Sequence, residues 1–169
     1  MDPVIALKHI LVATDFSEAS DAALLYGRNF ARAHGATLHL LNVVGFAAAD
    51  LASPVGIPAN IGELQRDLEA DAARHLEELL SDDDRRDLHA RVIVMSAGSA
   101  AKAILEYAHT EPIDLIIVGT HGRTGLSHFF MGSVAQQVVR TAPCPVLTVR
   151  HPEREFAMPD VRHAASAIA

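Results

Sequence analysis

Short continuous apolar runs alternate along this chain with longer stretches in which apolar residues recur every three or four positions. The short runs fit strands buried on both faces, and the longer period fits helices with one buried stripe. The first run, Ile10-Leu11-Val12-Ala13, ends at Thr14-Asp15-Phe16-Ser17. Ser17 stands where a helix N-cap belongs, Glu18 and Asp21 follow in the first turn, and Gly35 is placed to end the helix. Between these signals Ala22, Leu25, Tyr26, Phe30 and Ala33 fall at helical spacing. Further strands are predicted over 37–44, 90–95, 113–118 and 146–150. A helix is predicted over 62–80, with Leu64, Leu68, Ala72, His75, Leu76 and Leu79 along its core-facing side. Two more are predicted from a cap at Ser99 to His109, and over 133–141.

Strands alternating with helices predict an α/β fold: a doubly wound five-stranded parallel sheet, strand order 3-2-1-4-5, with helices on both faces. In such sheets ligands bind beyond the carboxyl ends of the strands, where the order reverses. Asp15 follows the first strand and Gly119 the fourth, and these strands are neighbours at the reversal. Residues 1–150 read as one domain and 151–169 as a tail without strong period. Residues 45–60, rich in Gly, Ala and Pro, read as a long connection or lid. Ser81-Asp82-Asp83-Asp84 reads as a charged turn at a solvated helix end.

Composition narrows the classes. The 169 residues suit one domain, and half of them are apolar, enough for a core without staples. The single cysteine, Cys144, excludes an intrachain disulfide and reads as a small buried residue. Fourteen basic against 21 acidic residues give a formal charge of −7, which disfavours nucleic acid and anionic membrane as partners. Residues 1–8 lack the pattern of a signal peptide, and no window reaches the ~20 apolar residues of a membrane span, so a cytoplasmic protein is expected. The ten histidines are scattered; His9 and His39 fall on strands, where packing or hydrogen bonding is expected. His121 and His128 share a loop but not a metal-site spacing.

The chemistry concentrates in Gly119-Thr120-His121-Gly122-Arg123-Thr124-Gly125-Leu126-Ser127-His128-Phe129-Phe130-Met131-Gly132-Ser133. Glycines bring backbone N–H groups close to a ligand, and consecutive N–H groups make an anion-binding concavity. Gly132-Ser133 opens a helix whose first N–H groups lack intrahelical partners. There is no Walker A sequence and no G-x-G-x-x-G. On glycine content alone, a ligand-free turn fits as well as a phosphate loop.

The spacing Gly119-x-x-Gly122, nine residues, Gly132-Ser133 resembles the ATP-binding signature of the universal stress protein family. The opening His9-Ile10-Leu11-Val12-Ala13-Thr14-Asp15-Phe16-Ser17 and the closing Ala142-Pro143-Cys144-Pro145-Val146-Leu147-Thr148-Val149-Arg150 resemble that family's first and last strands. The resemblance spans residues 8–150. It implies ATP with Mg²⁺, phosphates on Gly119, Gly122, Gly132 and Ser133 with Val134 beside them, and Asp15 near the ribose or a phosphate-bound divalent ion. It implies adenine against Ala13 and Val43; many members carry proline where this chain has Ala13. It also implies a homodimer seamed by Val146, Leu147, Thr148 and Val149.

Several alternatives stay open on the residues themselves. Asp15 is either a turn residue capping the next helix or a ligand group, and Arg123 either a phosphate contact or a solvated side chain. The functional readings are a nucleotide-dependent regulator in stress response, a slow ATPase or self-phosphorylating protein using Asp15 with Ser133, Ser127 or Thr124, and a dimeric scaffold with a vestigial site. No general base for water is evident. A flavin site would want aromatics, and the chain has no Trp and two Tyr.

Overall fold

The computed structural model describes residues 5–46, 60–120 and 132–151. Its elements are β1 (His9–Thr14), α1 (Glu18–His34), β2 (Thr37–Val44), α2 (Ile61–Leu79), α3 (Asp82–Asp87), β3 (Arg91–Ser96), α4 (Ala100–Thr110), β4 (Leu115–Gly119), α5 (Ser133–Thr141) and β5 (Val146–Val149). The strands form one parallel sheet in the order β3-β2-β1-β4-β5, as the sequence predicts. Most of the 45–60 connection and all of the tail beyond His151 lie outside the described residues.

Alternation along the strands divides the core. Ile10, Val12, Leu38, Leu40 and Ile117 face α1 and α2, where Leu24, Leu76 and Leu80 meet them. Leu11, Leu41, Ile116 and Val118 face α4 and α5, where Ile104 and Val138 meet them. Burying one such side chain contributes about 1.5–3 kcal/mol, so the central strands β1, β2 and β4 anchor the domain.

The buried face of α1 is not the one its bulky residues mark. Ala19, Ser20, Ala23, Leu24, Gly27 and Ala31 are buried, whereas Leu25 is 49% exposed. Small residues let the helix lie close on the sheet: a Cβ on Gly27 would overlap Val12 Cγ2. Tyr26 and Phe30 pack at the flank. On α2 the apolar stripe seals from Ala72 onward; Leu64 and Leu68 are more than a third exposed. The fourth strand starts at Leu115, and just before it the Asp114 carboxylate accepts the Lys8 and His9 N–H groups at 2.7 and 2.9 Å.

The acidic run corrects the reading of a solvated turn. Ser81 caps the short helix α3 in a capping box with Asp84. Asp84 is fully buried and accepts from Arg28 Nε and Arg32 Nη2, both at 2.8 Å. Burial pushes its carboxyl pKa up, but the Ser81 N–H and Arg28 outweigh burial and hold it below the usual value. This joint ties α1 to the turn between α2 and α3.

A second buried polar relay crosses the other face. His39 is fully buried, with Nε2 3.1 Å from His9 Nδ1 and Nδ1 2.8 Å from the Tyr107 hydroxyl. Burial, reinforced by His9 and Arg91, lowers its pKa to about 4. The half-buried Cys144 thiol is pushed up, by burial and then by Asp114, as suits an unreactive thiol.

Both polar centres make stability measurable. Asp84→Ala takes the buried partner from Arg28 and from the half-exposed Arg32, which water can resolvate, and is expected to cost about 1.5–3 kcal/mol in urea unfolding. Between pH 6.5 and about 4 the unfolded chain protonates residue 39 while the folded one does not. Stability therefore falls on acidification through that window, by up to about 3 kcal/mol from this group. Urea midpoints across that range should fall less steeply in His39→Leu.

Candidate functional site

The strand order reverses between β1 and β4, and a cavity of about 340 Å³ opens at their carboxyl ends. This is within the usual size of small-molecule sites. Its walls are apolar: Ala13, Leu41, Val43 and Val118 from the strands, Ala100 and Ile104 from α4. Its rim is polar: Thr14, Asp15 and Ser20 on one side, Gly119 and Thr120 next, and residues 132–135 opening α5 on the other.

Helix N-termini converge on this cavity from α1, α4 and α5. Two are closed by serine caps, Ser17 accepting from the Ser20 N–H and Ser99 from the Lys102 N–H. The third has no side-chain cap among the described residues: its N-cap is Gly132. Ser133, Val134 and Ala135 thus begin a helix with N–H groups that have no carbonyl of their own helix to bond. The Gly132 N–H itself is spent, donating to the Thr120 carbonyl at 2.6 Å, and the Thr120 N–H donates to Val149 at 2.7 Å. These two bonds fix the start of α5 to the ends of β4 and β5. Gly132 has φ −58, open to any residue, so its backbone conformation does not demand glycine.

Asp15 faces the cavity from the other side. Its Oδ1 accepts the Ser17 hydroxyl at 2.6 Å and the Ser17 N–H at 3.2 Å, so the carboxylate is both oriented and tied to the α1 cap. It is the single carboxylate in the described lining, which holds no Lys, Arg or His. Among the described residues no three His, Cys, Asp or Glu gather as a metal site. Positive potential in the described lining therefore comes from main-chain N–H groups and the α5 dipole.

The structure brings Ala13, Asp15, Val43, Gly119, Gly132, Ser133 and Val134 to one cavity. Gly122 and Arg123, with His121 and His128, lie outside the described residues. The glycine at 119 has a packing cause: a Cβ there would stand 2.9 Å from the Ala19 carbonyl carbon and oxygen. Sequence reasoning missed Thr14, Ser20 and Thr120 on the rim, Ala100 and Ile104 on α4, and Leu41, Val118 and Ala135 as lining. The spacing of Ser20 three positions after the cap, and of Ala100 and Ile104 four apart after Ser99, was the available signal.

Comparison with known proteins accords with this architecture, a doubly wound α/β domain with a cleft at its switch point. The Universal stress protein family model matches residues 6–150, and the chain belongs to that family. A universal stress protein of Methanocaldococcus jannaschii is 32% identical over 153 residues, 88% of this chain and 85% of that one. One of Thermus aquaticus is 37% identical over 144 residues, 85% of this chain and 98% of that one. Universal stress protein UspA from Lactobacillus plantarum superposes with TM-score 0.69 at 29% identity, over 87% of this chain and 100% of that one. Two further structures share the fold. One is a universal stress protein in complex with cAMP (TM-score 0.55, 21% identity, 86% of this chain and 98% of that one). The other, from Archaeoglobus fulgidus, is in complex with dAMP (TM-score 0.51, 15% identity, 86% and 99%).

Gly119 packs against Ala19, and Gly119→Ala therefore forces α1 off the end of β4. The expected cost is about 1–3 kcal/mol in denaturant unfolding, and an unchanged midpoint would remove that role.

Proposed function

We propose that this chain is a nucleotide-binding module that holds ATP with Mg²⁺ and acts as a nucleotide-dependent regulator in a cytoplasmic stress response. The observation that carries the reading is the open N-terminus of α5 facing Asp15 across an apolar cleft. That is a place for an amphiphilic anion: a flat apolar base between strand and helix, phosphates on helix-start N–H groups, and a hydroxyl or cation at the carboxylate. Family membership supports it, as do the cAMP and dAMP complexes of proteins with this fold, both ligands being adenine nucleotides.

In this reading adenine lies near Ala13 and Val43, and the ribose or a phosphate-bound Mg²⁺ approaches Asp15. The phosphates meet Ser133 and Val134, with Gly119, Gly122, Arg123 and Gly132 around them. Magnesium keeps several waters and takes few protein ligands, which fits one carboxylate and no metal cluster among the described residues. Asp15 Oδ1 already accepts twice from Ser17, an arrangement that suits holding a ligand better than activating water. Binding, not turnover, is therefore the favoured role. The last strand, Val146–Val149, ends the described sheet with one edge unpaired among the described residues, and a second copy pairing there makes the homodimer of this reading.

Val134→Glu tests the site without harming the fold. Position 134 is 37% exposed in the first turn of α5, where an acidic residue favours the helix but repels an anion. Isothermal titration with Mg-ATP is expected to show binding by the wild type and a loss of about tenfold or more in the variant. A folded wild type that gives no heat with Mg-ATP overturns the reading.

A further inference from the structure

Asp15 is followed by a strained residue. Phe16 has φ 64, in the left-handed region that a bulky side chain avoids. Strain of this kind persists where surrounding bonds over-determine the backbone, and it gathers at functional sites. The bonds that do so here run through buried side chains on both sides of Asp15.

The peptide plane before Asp15 ends in the Thr14 carbonyl. Asn42, buried on β2 directly opposite Thr14 in the sheet, donates Nδ2–H to that carbonyl at 2.8 Å. The peptide plane after Asp15 ends in the Phe16 N–H, which donates to Thr14 Oγ1 at 3.0 Å. Thr14 is itself held. The Ser20 hydroxyl spends its proton on the Ser17 carbonyl at 2.8 Å, so in the 2.9 Å pair between Thr14 and Ser20 the threonine is the donor. Both planes flanking one residue are thus pinned, which fixes φ and ψ of Asp15 and, through the turn, the αL state of Phe16. The Phe16 ring meets His75 of α2 edge-on, centroids 5.4 Å apart.

Asn42 contributes nothing to the cavity lining, and it is buried beside the apolar Leu40, Leu41 and Val43, bonded to the strand end at Thr14. A buried amide at a central strand is a costly choice for packing alone. We propose that Asn42, with Thr14, is a positioning residue that fixes the direction of the Asp15 carboxylate into the cavity. The inference rests on the nucleotide reading of that cavity.

A double-mutant cycle by titration with Mg-ATP tests it, using Asn42→Leu, Asp15→Ala and their combination. The expected result is a loss of about tenfold in Asn42→Leu, with cooperative unfolding retained, and no further loss when Asn42→Leu is added to Asp15→Ala. Losses that simply multiply, or an unchanged affinity in folded Asn42→Leu, overturn the positioning role. If Asn42→Leu does not fold, Thr14→Val against Thr14→Ser decides it. The serine keeps the hydroxyl and is expected to keep affinity, whereas valine is expected to lose it only while Asp15 is present; equal affinities overturn the role. Absence of binding by the wild type removes the nucleotide reading and this inference together, whereas wild-type binding with multiplying losses removes only this one.

Discussion

Helix α1 lies closer to the sheet than side chains ordinarily allow, and the rest of the molecule is arranged around that contact. Glycine at 27 admits Val12, and glycine at 119 admits the Ala19 backbone. The close approach brings the first turn of α1 to the exits of β1 and β4 together, at the point where strand order reverses. Ser17 and Ser20 therefore arrive beside Thr14 and Asp15, and the polar rim of the cavity can form. A helix standing off by one methyl group would leave Thr14 and Ser20 too far apart to share a hydrogen bond.

Among the described residues the buried polar side chains other than Thr120 fall in three places, each with its own duty. The Asp84 joint with Arg28 and Arg32 fastens α1 from its outer side, so the helix is gripped between sheet and α3. The His9–His39–Tyr107 relay links β1, β2 and α4 on the opposite face. The cluster of Thr14, Ser20 and Asn42 lies at the cavity, Thr14 and Ser20 on its rim and Asn42 bonded to Thr14. Elsewhere the centre of the sheet is apolar on both faces, and the rule that buried polar groups find partners accounts for how tightly each group is bonded.

The strands were legible because continuous apolar runs have few other uses, and their alternation with helices fixed the topology by known handedness. Topology plus two strand ends pointed to Asp15 and Gly119, whereas Ala13 and Val43 came only with the family resemblance; all four line the cavity. What escaped was long-range. Asp84 looked solvated because Arg28 and Arg32 stand 56 and 52 positions earlier in the chain. The buried face of α1 is marked by small residues, Ala19, Ala23, Gly27 and Ala31, which the spacing of Leu25, Tyr26 and Phe30 does not reveal. Asn42 is one polar residue in the run Leu40-Leu41-Asn42-Val43, and only the register opposite Thr14 gives it a role.

The electrostatics of the cleft bear on what it can hold. The chain is acidic, and the described lining adds a carboxylate and no cation. From the described lining a bare anion would meet attraction only from main-chain dipoles at the start of α5, each worth roughly 0.3–1 kcal/mol at an exposed helix end. Asp15 opposes it. An anion that carries its own divalent cation reverses the sign at Asp15 and keeps the contact with α5. The opposition of one acid and one open helix start is thus a filter for a metal-bearing or hydroxyl-bearing anion over a simple one, provided the carboxylate cannot swing away. In this fold the direction of that carboxylate is set by the Ser17 bonds and by the pinned turn beneath it.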